Sequence, residues 1–218
     1  PHVDPARMSA LPPGAPDVEP GDACGNGNDG SDGSDDGGDL ELLFVGVLQD
    51  NYRLDACLRA VSRTPGTRVT LCVRQETWEE TREHYTPLLP AGRADVVHRS
   101  GSDLLPLYER ADLGVLFTEP NPYWDFAVPY KLYEYLAHEL PVIAVRGTQT
   151  GRLVEEMGIG WVLDYDAGAL SDLLRRLRQA PGEIEAVRRR MRRVLPEQTW
   201  QARARTVAHV LGATERKP

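Results

Sequence analysis

Lys131, Glu134 and His138 stand at i, i+3 and i+7 within PYKLYEYLAHELPVIA, residues 129–144, so they share one face of a helix. This is the chain's clearest grouping of side chains able to do chemistry. Glu134, about a turn and a half into that helix, can accept hydrogen bonds from two neighbouring hydroxyls of one ligand. The bland alternative is an i, i+3 ion pair with Lys131, worth only about 0.2–0.5 kcal/mol. The backbone N–H groups near Ala127, Val128, Tyr130 and Lys131 fall where the helix begins, and donors without intrahelical partners, together with the helix dipole, favour a phosphate there.

Metal chemistry has less to stand on. The five histidines, His2, His84, His98, His138 and His209, form no ligand cluster, and Cys24, Cys57 and Cys72 show no C-x-x-C spacing. No metal site or disulfide framework is expected. The stretch GNGNDGSDGSDDGGD resembles calcium-binding repeats only faintly, for it lacks both the hydrophobic residue of each repeat and the closing Glu of an EF-hand loop.

The elements that must carry this face are legible around it. Pro129 suits the first turn of a helix, since its ring presets φ and its missing N–H would have had no partner there. Leu132, Leu136 and Leu140 recur at i, i+4 and i+8 as the buried stripe, and Pro141 ends the helix. Val142 to Val145 is too short a run for a helix and reads as a buried parallel strand. Along the chain, strands at 40–48, 67–73, 94–97, 112–117, 141–145 and 161–165 alternate with helices at 53–61, 78–85, 103–110, 129–138, 151–157 and 168–179. The alternation implies an α/β fold: a Rossmann-like, doubly wound parallel sheet of about six strands, with its ligand crevice at the strands' carboxyl ends.

That domain spans residues 40–180, and 181–218 read as C-terminal helices and a tail. Arg188, Arg189, Arg190, Arg192 and Arg193 make the first of these helices basic enough for a peripheral membrane contact. The apolar stripe of Val187, Met191 and Val194 is thin, which favours a solvated basic face instead. Residues 14–39 are Gly/Asp-rich and nearly devoid of apolar side chains, so ordering them would not repay the conformational entropy; a disordered acidic insertion is expected. Those residues carry eight acids and no Lys or Arg, and they account for the whole net charge of −8. The remainder is balanced, which argues against a nucleic-acid partner. With 218 residues, one core of ordinary size is the default. No run approaches the roughly 18 apolar residues of a membrane span, and the first residues lack a signal pattern, so a cytoplasmic location is expected.

KLYEYLAHELPVIA (131–144) resembles the signature of retaining glycosyltransferases of the family 4, or group 1, type, which have the GT-B fold. YERADLGVLF (108–117) and TGRLVEEMGIGWVL (150–163) follow in that family's order and spacing, so that residues 40–212 fit its C-terminal, nucleotide-sugar-binding half. The resemblance implies transfer of a sugar from a nucleotide diphosphate sugar to an acceptor hydroxyl, with no metal or other cofactor. It places Glu134 at the donor ribose. The loop 118–126, with Asp125 and Phe126, would join Ala127, Val128, Tyr130 and Lys131 around the diphosphate and sugar. His98 and Arg99 end a strand and are candidates to flank the base, although a lone His there is more often a surface residue. Residues 1–13 are similar to the linker that enters this half, and Trp200 fits the last helix, which crosses to the N-terminal half. That half, in cis or in trans, is an implied partner, and the chain alone is expected to be incomplete and inactive.

The chain departs from the family pattern in two places. Eight positions before Glu134, where the family has a second glutamate, stands Phe126, with Asp125 beside it. The family's phosphate-binding basic pair falls near Val47 and Tyr52; Arg53 could replace one charge, and Arg146 or Arg152 another. Without such charges a diphosphate leaving group is poorly stabilised. Two alternatives therefore stay open: a non-catalytic nucleotide-binding or interaction module of the same fold, and a protein resembling nucleotide-sugar epimerases.

Overall fold

The computed structural model describes residues 12–16, 38–49 and 52–210. Six strands form one all-parallel sheet: β1 (Leu40–Gly46), β2 (Thr67–Val73), β3 (Ala94–Val97), β4 (Leu113–Leu116), β5 (Val142–Val145) and β6 (Gly160–Leu163). Their order is β3-β2-β1-β4-β5-β6. The chain therefore winds outward from β1 in one direction and from β4 in the other, and the switch lies between those two strands.

Strand side chains alternate between faces, and here both faces are covered, so the strands are apolar throughout. Leu42 and Phe44 of β1 join the core beneath α1 (Asp55–Arg63) and α6 (Ala167–Gln179), with Leu58, Val61, Leu170 and Leu174. Leu43 and Val45 join the opposite core beneath α4 (Lys131–Ala137), α5 (Gln149–Met157) and α7 (Pro181–Gln198), with Leu132, Leu136, Val154, Val187 and Met191. Two further helices, α2 (Gln75–Tyr85) and α3 (Leu105–Arg110), complete the alternation, and α8 (Trp200–Val210) follows α7.

The boundaries shift where local chemistry extends or shortens an element. α4 starts at Lys131, not at Pro129: the first turn-closing bonds run from the Leu132 N–H to the Pro129 carbonyl and from the Tyr133 N–H to the Tyr130 carbonyl. It also stops well before Pro141, since Glu139 turns the chain through a left-handed conformation at φ 53°. α5 begins two residues ahead of Gly151 because the Thr148 hydroxyl caps the Gly151 N–H at 2.9 Å. α2 likewise begins at Gln75, ahead of Trp78.

Between β1 and β4 the ladder runs through Leu42 with Leu113 and Leu43 with Gly114. Beyond that point the Tyr135 phenol stands in for the missing strand. It accepts from the Val45 N–H at 3.0 Å and donates to the Leu43 carbonyl at 3.3 Å. Its ring lies over Gly114, where a Cβ would come within 2.6 Å of it. Tyr135 and Tyr133 are both fully buried, although the leucine stripe alone marks the inner face in the sequence.

Residues 12–16 do not behave as the front of a loose insertion. The Ala15 N–H donates to the Gln198 carbonyl at 2.6 Å, the Trp200 N–H donates to the Ala15 carbonyl at 3.3 Å, and Ala15 is wholly buried. A Cβ on Gly14 would fall 2.5 Å from the Trp200 nitrogen. Gly14 and Ala15 thus pack against the α7–α8 junction. Most of the expected linker and insertion, residues 1–11 and 17–37, lies outside the described residues.

Two of the five arginines of α7 are paired with acids of the chain. Arg188 faces Asp112 and Glu185 at 3.6 and 3.8 Å, and Arg192 pairs with Glu139 and Glu185. Ile184, Val187 and Met191 are buried, so the thin stripe packs onto the domain. Among the described residues no helix is long and apolar enough to cross a membrane.

Two expectations follow. Tyr135→Phe removes the partner of a buried N–H and a buried C=O, and should cost about 1–3 kcal/mol in denaturant unfolding. A variant as stable as the parent would show that other groups satisfy both. Deleting residues 17–37 should leave the melting temperature within a few degrees, whereas a deletion reaching through Gly14 and Ala15 should lower it.

Candidate functional site

The carboxyl ends of β1, β4 and β5 enclose a cavity of about 190 Å³ beside the switch point. β1 and the segment after it contribute Phe44, Val47 and Tyr52, while the loop after β4 contributes Thr118 and Trp124. Pro129, Tyr130 and Lys131 close it at the start of α4, and Thr148 and Thr150 at the start of α5. Lys131 is the one charged side chain on this wall among the described residues.

The loop after β4 is built on Trp124. Asn121 starts a short 3-10 turn, Pro122–Asp125, by accepting from the Tyr123 N–H at 3.0 Å, and Trp124 is buried behind it. Tyr52 meets the Trp124 ring edge-on at 4.9 Å. Burial, and then the neighbouring Tyr123, push the Tyr52 phenol up to about 12. It is therefore a neutral hydroxyl at any physiological pH.

Glu134 stands one turn along from the cavity mouth. Its carboxylate pairs with the Lys131 ammonium and accepts from the Tyr108 hydroxyl at 3.3 Å. Burial, and then the Glu134 charge, raise the Tyr108 phenol above its ordinary value, so it remains a donor to that carboxylate. The Tyr108 ring in turn stacks on His138, with centroids 4.2 Å apart and planes within 8°. The ion pair with Lys131 is present, and of the two side chains Lys131 lines the cavity.

The other sequence candidates divide. Tyr130 and Lys131 line the cavity, whereas Val128 packs against the core beneath α4. Ala127 does not offer a free donor, because its N–H is given to the Tyr123 carbonyl at 3.0 Å. Phe126 is 72% exposed, and the Asp125 carbonyl accepts from Arg152 at 2.7 Å. The structure does not bring Arg53 to the cavity. It lines a separate polar cleft with Arg59, Arg63 and Asp166, and its carbonyl accepts from the Tyr165 hydroxyl and the Glu119 N–H. Arg146 is held by Asp164 and Glu155 at 3.1 and 3.3 Å, so neither it nor Arg152 reaches the wall. His98 and Arg99 lie beyond the end of β3: the His98 Nδ1 bonds the Val73 carbonyl at 2.8 Å, and the Arg99 carbonyl accepts from the Cys72 thiol.

Val47 and Tyr52, where the family resemblance puts cations, do line the cavity. At these two positions the wall carries an apolar and a phenolic side chain in place of the cations. Trp124 lies in the loop 118–126 expected beside the donor, whereas Thr148 and Thr150, which also line the cavity, were not among the sequence candidates. For the threonines a signal existed: Thr148 with Gly151 three residues on, directly after a strand, is a helix-capping spacing.

The family described as glycosyl transferase-like matches residues 53–209. No curated protein matches the chain in sequence. Among solved structures, sucrose-phosphate synthase from Thermosynechococcus elongatus is 19% identical with a TM-score of 0.65, over 80% of this chain and 45% of that one. HepE of Anabaena, in complex with UDP, is 14% identical with a TM-score of 0.66, over 81% and 49%. The C-terminal domain of LpcC, a glycosyl transferase group 1 family protein from Francisella tularensis, is 11% identical with a TM-score of 0.57, over 75% and 88%. The chain thus spans about half the length of the first two and most of a neighbour that is itself a C-terminal domain. With the matched region covering well over half of its length, the chain belongs to the glycosyl transferase-like family, on the Rossmann-like fold of the C-terminal half of GT-B transferases.

Proposed function

We propose that this chain is the donor-binding half of a retaining glycosyltransferase, one that moves a sugar from a nucleotide diphosphate sugar to an acceptor hydroxyl. The observation that carries the reading is the Lys131–Glu134 pair, whose lysine lines the switch-point cavity. On donor binding the ribose hydroxyls donate to Glu134 in place of Lys131, and the released ammonium meets the diphosphate. The N–H groups of Tyr130 and Lys131, at the start of α4, add to that anion's field. HepE was determined with UDP and with UDP-glucose, which supports a nucleotide sugar as the ligand class. No metal enters this scheme, in keeping with the family resemblance.

The acceptor side comes from a second Rossmann-like half, in cis or in trans. Holding both reactants together supplies on the order of 7–11 kcal/mol of such a barrier in favourable cases, and one half cannot do this. The reaction is placed on the cytoplasmic side, with α7 and α8 resting against the domain rather than on a membrane.

A second reading has its own observation. Val47 and Tyr52 stand on the wall where cations are expected, and Lys131 is the one charged side chain there among the described residues. A module that binds nucleotide without transfer would look the same.

Titration calorimetry with UDP and GDP should detect binding to the 218-residue chain, undiminished by a chelator. Glu134→Ala should weaken that binding by about 1–3 kcal/mol. The same change leaves Lys131 and Tyr108 without their acceptor, so Glu134→Gln serves as the folded control. Unchanged nucleotide affinity in both variants would sink the ribose role. The chain by itself should show no sugar transfer, and supplying an N-terminal half should restore it. Robust turnover by residues 1–218 alone would contradict the division of labour, while an inert completed protein would favour the binding module.

A further inference from the structure

We propose that the polar cleft along α1 is a second anion-binding site, separate from the donor cavity, in which Arg53, Arg59 and Arg63 hold the phosphate group of a phosphorylated ligand. The proposal goes beyond the donor reading, which gives that cleft no task.

The cleft measures about 430 Å³ and runs beside α1, with the start of α6 as its other wall. Arg59 and Arg63 stand four apart on α1, so their Cβ atoms lie about 5–6 Å from each other on one face, where like charges repel. Arg53, two residues ahead of the helix, adds a third guanidinium. Among the described residues none of these three side chains reaches a carboxylate, whereas Arg68, Arg110, Arg146, Arg176 and Arg192 each do.

Three acids line the same cleft, and two of them are compensated without the arginines. Asp55 pairs through one oxygen with the His84 Nε2 at 2.9 Å, and its other oxygen is buried. Asp166 caps α6 by accepting from the Ala169 N–H at 2.7 Å. Asp55 lies in the first turn of α1, so both carboxylates are also set against the positive end of a helix dipole. Glu119, on the exposed rim, is the third. The excess is therefore of cations. A phosphate answers it, because guanidinium forks match its oxygens and one anion between Arg59 and Arg63 replaces repulsion by charge-assisted hydrogen bonds.

The cleft is not the donor cavity reached from another side. Tyr52 and Thr118 line the donor cavity, and the next residue of each segment, Arg53 and Glu119, lines the cleft. The partition between them is tied: the Arg53 carbonyl accepts from the Glu119 N–H at 3.1 Å and from the Tyr165 hydroxyl at 3.2 Å. Both spaces can thus be filled at once. At about 430 Å³ the cleft also falls within the roughly 300–1,000 Å³ of small-molecule sites.

The test is calorimetry with inorganic pyrophosphate on the full chain, in the presence and absence of saturating UDP. Pyrophosphate should bind the UDP-saturated parent. Arg59→Ala and Arg63→Ala should each weaken that binding roughly 3- to 10-fold and leave UDP affinity unchanged. Their melting temperatures should equal or exceed the parent's, since each removes one member of a repelling pair; this separates lost recognition from lost folding. Arg74→Ala removes an exposed arginine ahead of α2, outside the cleft, and should leave pyrophosphate binding as it was. No binding by the parent, displacement of pyrophosphate by UDP, or equal weakening in all three variants would overturn the proposal. Binding that appears only after residues 17–37 are deleted would make the chain's own acids the occupant and overturn it too. If UDP itself does not bind, the donor reading falls, and pyrophosphate with the three variants still decides the cleft.

Discussion

The crevice exists because two neighbouring strands part, and the Tyr135 phenol makes that parting affordable. Where β4 leaves β1, the Leu43 carbonyl and the Val45 N–H lose their ladder partners inside the protein. Water cannot replace them there, and each buried polar group left unpaired would carry a penalty of its own. One hydroxyl that donates and accepts covers both losses. The ring needs room over the sheet, and Gly114 provides it by having no Cβ to meet the Tyr135 ring.

The same contact sets the rotation of α4. Residues four apart stand one above the other on a helix, so fixing Tyr135 against β1 directs Lys131 to the same side, where it meets the cavity wall. Glu134, one position back from Tyr135, is turned toward α3 and finds Tyr108. A single buried hydrogen-bonded tyrosine thereby links the opening of the sheet to the placement of the two ionic side chains beside it. The neighbouring threonines depend on β5 in a similar way, because Thr148 binds the Val145 carbonyl as the strand ends and caps α5 in the same turn.

Much of this was visible in the sequence because the responsible pattern is local. The leucine stripe of α4, the polar face of Lys131 and Glu134, the six apolar strands and their order of βα alternation all depend on neighbours within a few residues. The misses depend on partners far away. Tyr135 reads as amphipathic, and its burial follows from backbone groups about 90 positions earlier. Gly14 and Ala15 look like any Pro- and Gly-rich terminus, and their anchor is the turn before Trp200. Arg53 illustrates a third kind of miss: Tyr52 lines the cavity, and the next residue already lies on the way into α1, facing a different cleft. The sequence shows the charge and its approximate position, and not the direction of the side chain.

The electrostatics of the cavity now separate two tasks that a basic pair would have merged. Lys131 is not a standing cation at the wall, because its charge is already shared with Glu134 at the mouth. The two side chains are half-buried, so this pair is better shielded from water than a surface ion pair, yet it is still an i, i+3 contact of modest strength. A ligand that offers Glu134 two hydroxyl donors and Lys131 an anion replaces one contact by several, and it must present both groups together to do so. A free phosphate would leave Glu134 as a competitor for the ammonium, and a free nucleoside would leave Lys131 without an acceptor. On the proposed reading, such an arrangement would favour a ribose joined to a diphosphate over either part alone, by mutual masking of two opposite charges rather than by accumulating positive ones.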